Sequence, residues 1–208
     1  LSLVGSEMCI RDSVWLETSG VNTLRTEVET DEAGTITALR LRQSAPDGSP
    51  SAPGDDVLRP HRLAVGFYDV DEATGRLTRT ERFELDVAGE VTEVAEAVGR
   101  RRPAVILPND DDLAYAKLRL DDASWKAAST RLKDVDGSLA RTLLWGAAWD
   151  TVRDGEASAA WFVDLVLANV GHERDSSVVQ TLLRQLATAI GLYLPEAVSY
   201  THLTLPTK

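Results

Sequence analysis

Ala116-Lys117-Leu118-Arg119-Leu120-Asp121-Asp122-Ala123-Ser124-Trp125-Lys126-Ala127-Ala128-Ser129-Thr130-Arg131-Leu132 holds the place where the hydrophobic period of this chain changes. Ala116, Leu118 and Leu120 alternate with Lys117 and Arg119, the repeat of a strand with one buried face. Behind Asp122, Trp125, Ala128 and Leu132 recur at helical spacing instead. The chain before Leu120 reads like the first pattern and the chain after it like the second. The expected fold class is therefore α+β: an antiparallel β-sandwich of about seven strands followed by an antiparallel α-helical stack, the start of a helical solenoid.

On the upstream side, Leu24, Thr26 and Val28 alternate with Arg25 and Glu27, and Phe83, Leu85 and Val87 alternate with Arg82, Glu84 and Asp86. Leu39 with Leu41, and Leu63 with Val65 and Phe67, give further strands, and Val105 to Leu107 is a short, fully apolar run. Asp31 to Gly34, Asp71 to Gly75 and Ala88-Gly89 fall between runs at hairpin distances. Ser44 to Asp56 (SAPDGSPSAPGDD) reads as a low-complexity surface loop. Downstream, Leu139 to Val152 is apolar nearly all round and is expected to be buried between neighbours, while Trp161, Leu165 and Ala168 mark a helix ended near Gly171. The clearest helix places Val179, Leu182, Leu183, Leu186, Ile190 and Tyr193 at spacings 0, 3, 4, 7, 11 and 14 behind an N-cap at Asp175 or Ser176.

Composition bounds the function. The 208 residues are 43% apolar and 26% charged, as in an ordinary globular protein. A net charge of -11 repels phosphate backbones and anionic lipid, so no nucleic acid and no membrane is expected as a partner. Between residues 14 and 197 there are 17 Arg against three Lys and no Met or Cys. Leu1 to Ser13 and Val198 to Lys208 lack that usage and resemble translated sequencing-adapter read-through, which makes the chain an expected internal fragment. Without Cys9 the body has no cysteine, which favours a reducing, cytoplasmic setting. The expected organisation is a β-sandwich domain over about 14–120 and the N-terminal part of a helical C-terminal domain over 121–197.

The search for chemistry gives no catalytic, cofactor-binding or metal-binding residue. His172-Glu173 opens like a zinc-binding H-E-x-x-H, but Ser176 stands where the second histidine would share the metal face. His61 lies far from it after Arg59-Pro60, His202 is in the discarded tail, and the body histidines read as surface or structural. Asn109-Asp110-Asp111-Asp112 invites calcium, yet consecutive acids lack the alternate oxygens, turn glycine and distal Glu of a calcium loop. Arg100-Arg101-Arg102 could meet an anion but reads as a solvated turn in an acidic chain. Trp145, Trp149 and Trp161 could stack on sugars, but at helical spacing they read as core. Phosphate-binding glycine loops, G-x-S-x-G elbows and a cysteine nucleophile are all missing from the sequence.

Taken in order, several motifs carry a resemblance. Trp15-Leu16-Glu17-Thr18-Ser19-Gly20-Val21-Asn22-Thr23-Leu24, Leu58 to Asp69 (LRPHRLAVGFYD), Leu107 to Lys117 (LPNDDDLAYAK), Ser138-Leu139-Ala140-Arg141 with Trp145 and Ala148-Trp149-Asp150, and Glu173 to Leu182 resemble the post-catalytic part of the aminopeptidase N family in its actinobacterial form. That resemblance implies a zinc metallopeptidase with an N-terminal β domain, a thermolysin-like catalytic domain, a β-sandwich and a helical C-terminal domain closing over the active site. Neither G-[AG]-M-E-N nor H-E-x-x-H occurs here, so no catalytic or zinc residue carries over. The implied role is a non-catalytic segment that packs on its own catalytic domain and helps enclose peptide substrates, with zinc bound by the parent and not by this segment. A stand-alone sandwich and helix interaction module is the alternative. A carbohydrate-binding sandwich would need exposed strand aromatics, yet four of the five Trp lie in the helical half.

Overall fold

In the computed structural model, residues 15, 20–45 and 58–194 are described. The terminal segments and most of the Ser44 to Asp56 stretch lie outside them. Seven strands and four α-helices follow one another among the described residues: β1 (Thr23–Thr30), β2 (Ile36–Ser44), β3 (His61–Val70), β4 (Leu77–Val87), β5 (Val91–Glu93), β6 (Val105–Asp110), β7 (Lys117–Arg119), α1 (Asp122–Arg131), α2 (Ser138–Arg153), α3 (Ala159–Asn169) and α4 (Ser176–Thr188). The α+β class and the C-terminal helical stack are as the change of period indicates.

The strands form two sheets, ordered β5-β2-β1-β7 and β4-β3-β6. Leu24, Ile36, Leu39 and Leu41 of the first face Leu63, Val65, Phe67, Phe83, Val87 and Ile106 of the second in one core, with Phe67 and Phe83 edge to face at 5.0 Å. Most pairings are antiparallel, but β1 and β7 run parallel. The reason is topological: after β6 the chain crosses to the other sheet and adds β7 beside β1 in the same direction. β5 has no apolar face for a sequence pattern to detect, and only its pairing to β2 defines it. The outward face of β1 and β2 is a ladder of cross-strand ion pairs, Arg42 with Glu27 at 2.7 Å and Arg40 with Glu29 at 2.5 Å.

The helices cover the far side of the β4-β3-β6 sheet. Tyr68, Leu77, Val105, Leu107, Leu118 and Leu120 share a second core with Ala128, Leu132, Leu144, Trp145, Phe162 and Val166. Caps follow from short polar side chains: the Asp121 carboxylate accepts from Ala123 and Ser124 N–H, and Asp175 from Ser177 and Val178 N–H. Two expected faces are shifted. On α3 the buried face is Phe162, Val163, Leu165 and Val166, while Ala168 is exposed; AAWFVDLVL is apolar almost throughout, so periodicity selects no face. Leu139, at the start of α2, is 45% exposed and lines a cleft with Tyr68 and Arg79.

Candidate functional site

The residues that the resemblance draws together, 64–69 and 107–117, meet at the seam between the β4-β3-β6 sheet and the helices. Two β-bulges shape it. Thr80 is the extra residue where Phe67 pairs with Glu81 and Tyr68 with Arg79; Asn109 is the extra residue where Val65 pairs with Pro108 and Ala64 with Asp110. Each bulge shifts the alternation by one residue, which turns Arg79 and Asp110 toward Tyr68. The Tyr68 hydroxyl donates to Asp110 Oδ1 at 2.8 Å and Arg79 Nη1 donates to Asp110 Oδ2 at 2.9 Å, around a carboxylate that is 1% exposed. Gly66 makes the approach possible, because a Cβ there would stand 2.4 Å from Asp110 Oδ2.

The loop that follows is held in a left-handed backbone at three non-glycine residues, Asn109, Asp111 and Asp112, with φ of 55°, 68° and 55°. Asn109 clamps it: its amide donates to the Ala114 carbonyl at 2.7 Å and its Oδ1 accepts from the Ala114 N–H at 2.8 Å. Asp111 accepts from Arg79 and Arg82, each at 2.8 Å. Burial raises the Asp111 carboxyl, but those two arginines outweigh it and hold the group below the usual carboxylate range. Burial, with Asp110 beside it, pushes the Tyr68 phenol far above its ordinary value, so the hydroxyl stays a donor. The oxygens that a calcium ion would need on Asp110 and Asp111 are thus taken by a phenol and two guanidiniums. A cleft of about 380 Å³ lies over this network and is lined on the helical side by Gly137 and Ala140.

A second cluster fastens β7 to the end of α2. Arg119, 1% exposed, donates to Glu156 Oε1 at 2.7 Å and to the Asp154 carboxylate, which Lys117 also meets at 2.7 Å. Burial raises the carboxyl groups of Asp154 and Glu156, yet their basic partners leave both below the usual range. Arg102, read from the sequence as part of a solvated turn, instead reaches Asp121 at 2.5 Å and joins the sandwich to the cap of α1. Ser124 Oγ accepts from the Ile106 N–H at 2.9 Å, satisfying a donor on the edge strand β6.

The remaining candidates are dispersed. His172 is exposed, whereas the neighbouring Glu173 carboxylate faces Arg141 at 3.3 Å and Trp145 Nε1 at 3.4 Å. His61 is buried at the start of β3 and the structure does not bring it together with His172 in any ligand group; among the described residues, no three of His, Cys, Asp and Glu are placed to hold a metal. With Glu173 committed to an arginine and an indole, these side chains do not fit a zinc centre. Trp145 is core, Trp149 tilts against Phe162 at 5.2 Å, and Trp161 stands edge-on to Trp125 at 5.4 Å. Arg119 and Gly66 carried no signal in the sequence, since each is defined by partners far along the chain.

Comparison with known proteins gives this seam its setting. Residues 105–204 match the ERAP1-like C-terminal domain. Over 189 residues, 91% of the chain, the identity to Aminopeptidase N of Streptomyces lividans is 49%. The chain is similar to aminopeptidase N. The resemblance carried by the quoted motifs is thereby shown, and the matched stretch makes up 22% of that Aminopeptidase N. The domain match begins at Val105, the first residue of β6, whose Val105 and Leu107 belong to the core shared with the helices. Among the described residues no helix is long and apolar enough to cross a membrane.

Proposed function

We propose that this chain is a non-catalytic part of a cytoplasmic, zinc-dependent aminopeptidase that removes N-terminal amino acids from peptides. In this reading residues of about 14–120 form its β-sandwich domain, and 121–197 the first part of its helical C-terminal domain. The observation that carries the reading is the 49% identity over 91% of the chain, on top of motifs that occur in family order. Zinc in the parent would polarise the attacking water, and its ligands would lie in a catalytic domain outside this sequence. The contribution of this segment is mechanical: it packs on the catalytic domain and helps enclose the peptide. The Arg119 cluster supports that role because it ties the sandwich to the end of α2, while the Tyr68–Asp110–Arg79 network and the clamp at Asn109 brace the sheet and loop beside that seam; none of them offers a nucleophile beside a base.

The test is to read the source DNA upstream and to assay the purified chain. An in-frame H-E-x-x-H upstream is expected, together with no retained zinc and no turnover of aminoacyl chromogenic substrates by the 208-residue chain alone. Tightly bound stoichiometric zinc, zinc-dependent turnover, or an upstream frame of another class would sink the proposal.

A further inference from the structure

The loop between β6 and β7 turns two large side chains outward. Tyr115 is 71% exposed and Leu113 50%, while Ala114 and Ala116 pack on the sandwich core. Tyr115 makes no hydrogen bond or ring contact among the described residues. The backbone that carries them is held. The Asn109 clamp on Ala114, at 2.7 and 2.8 Å, and the two arginines on Asp111 fix the left-handed residues Asn109, Asp111 and Asp112. Asparagine and aspartate tolerate that conformation better than other side chains, yet it persists only where the surroundings enforce it. The loop is therefore ordered before anything binds, which spares a partner the cost of ordering it. Asp111 is neutralised by Arg79 and Arg82, and Lys117 by Asp154, whereas Asp112 is exposed and has no ion-pair partner among the described residues. The patch is thus an aromatic and an aliphatic side chain beside one uncompensated negative charge.

We propose that Leu113 and Tyr115 seat this segment on the catalytic domain of its parent, entering an apolar recess edged by an arginine or lysine that meets Asp112; the seat presupposes the proposed function, in which that domain lies upstream. Place in the fold selects this occupant. β7 runs parallel to β1 with Lys117 opposite Thr23, and the Lys117 N–H donates to the Asn22 carbonyl at 2.9 Å. Residues 113–116 therefore flank the end of the sandwich at which the chain enters β1, the side from which an upstream domain arrives. Size selects it too. Two side chains fall far short of the roughly 800 Å² per partner that a stable contact between separate chains buries, which argues against a second copy. A domain joined through the backbone needs less, because the tether already supplies a high effective concentration. Tyrosine suits the task, since its ring buries a large area at a low cost in rotamers and its hydroxyl keeps a polar handle.

The experiment compares the 208-residue chain with the full parent expressed from the upstream frame, by hydroxyl-radical footprinting and thermal unfolding. Oxidation of Leu113 and Tyr115 should be several-fold slower in the parent, with the buried Tyr68 slow in both. Tyr115→Ala should leave the unfolding midpoint of the 208-residue chain where it is and lower that of the parent. Asp112→Asn, which keeps a residue tolerant of the left-handed backbone, should lower the parent's midpoint as well. Equal oxidation of Tyr115 in the two proteins would overturn the proposal, as would a Tyr115→Ala that destabilises the 208-residue chain as much as the parent. An Asp112→Asn parent as stable as wild type would remove the cation from the recess. Protection of Tyr115 that grows with the concentration of the 208-residue chain would assign the patch to a second copy instead. The two readings fail separately: an upstream frame without H-E-x-x-H sinks the proposed function and the seat with it, whereas H-E-x-x-H upstream with Tyr115 still open sinks the seat alone.

Discussion

Gly66→Ala isolates the contact on which the seam depends. The added Cβ would lie 2.4 Å from Asp110 Oδ2, 2.7 Å from Asp110 Cγ and 2.9 Å from Tyr68 Cε2. A carboxylate on the surface would swing aside cheaply, but this one is buried and held by Tyr68 at 2.8 Å and Arg79 at 2.9 Å. Making room means stretching or breaking at least one of those bonds, a loss of about 1.5–3 kcal/mol for a bond to a charged group. Overpacking strain adds about 1–3 kcal/mol. Two effects run the other way: Arg79 is partly solvated, which discounts its share, and losing a glycine from the unfolded chain stabilises by about 0.4–1 kcal/mol. The expected net loss is about 2–4 kcal/mol, or about 4–16 °C in Tm for a domain of this size. Urea unfolding of Gly66→Ala, Asp110→Ala and the double variant measures it. Once Asp110 is truncated, alanine at 66 should cost little, so the cycle should show a coupling of more than about 1 kcal/mol. Simple additivity, or a Gly66→Ala chain as stable as wild type, would refute the close-approach argument.

Arg119→Met should lower stability by about 2 kcal/mol, because it leaves Asp154 and Glu156 facing each other with Lys117 and Arg25 as remaining partners, both partly in water; chemical denaturation checks it, and no loss would mean the pair is cosmetic. Burial raises the Glu173 carboxyl, but Arg141, the Arg174 N–H and Trp145 outweigh it and leave the group below its usual range. Its contribution is therefore present above about pH 4.3 and lost as pH falls through the folded value, so Glu173→Gln should flatten the acid limb of a pH–stability curve relative to wild type. In α4 only Leu182 is buried, while Leu183 is 51% exposed and the turn that follows leaves Leu192 76% exposed. Hydrogen exchange should accordingly be fast across 176–193 and slow in β3, with dye binding at the exposed stripe; equal protection of both would count against it.

The alternation of Leu24, Leu41, Leu63, Val65, Phe67 and Phe83 was legible because one face of each strand meets the other sheet, and that face is written locally. Asp175 was legible as a cap for the same local reason. The site was not. Arg119 looks like the solvent half of an alternating strand, and its burial comes from Asp154 and Glu156, placed there by a helix that ends more than thirty residues later. Tyr68, Arg79 and Asp110 fall together only because bulges at Thr80 and Asn109 break the period that made the strands readable. The acidic run at 109–112 was visible, but its meaning changed: what attracted a calcium reading is a bulge and clamp whose carboxylates are already neutralised by Arg79 and Arg82.

The period change at Leu120 separates two styles of sequence, while the packing crosses it. β6 is the strand that shows this. Its Ile106 lies in the sandwich core, its Val105 and Leu107 lie in the core shared with the helices, and its edge N–H at Ile106 is satisfied by Ser124 of α1. Further down the seam Arg131 donates to the Gly75 carbonyl at 2.6 Å and the Asp136 N–H to the Leu77 carbonyl at 2.7 Å, so the β3–β4 hairpin is tied to the α1–α2 connection as well. Stripping the helices away would expose apolar side chains at about 25 cal/mol per Å² and leave backbone groups of a sheet edge unpaired. The sheet therefore needs α1 and α2 as much as they need the sheet. An element that holds a sandwich and a helical array together suits the proposed task of helping to enclose a peptide.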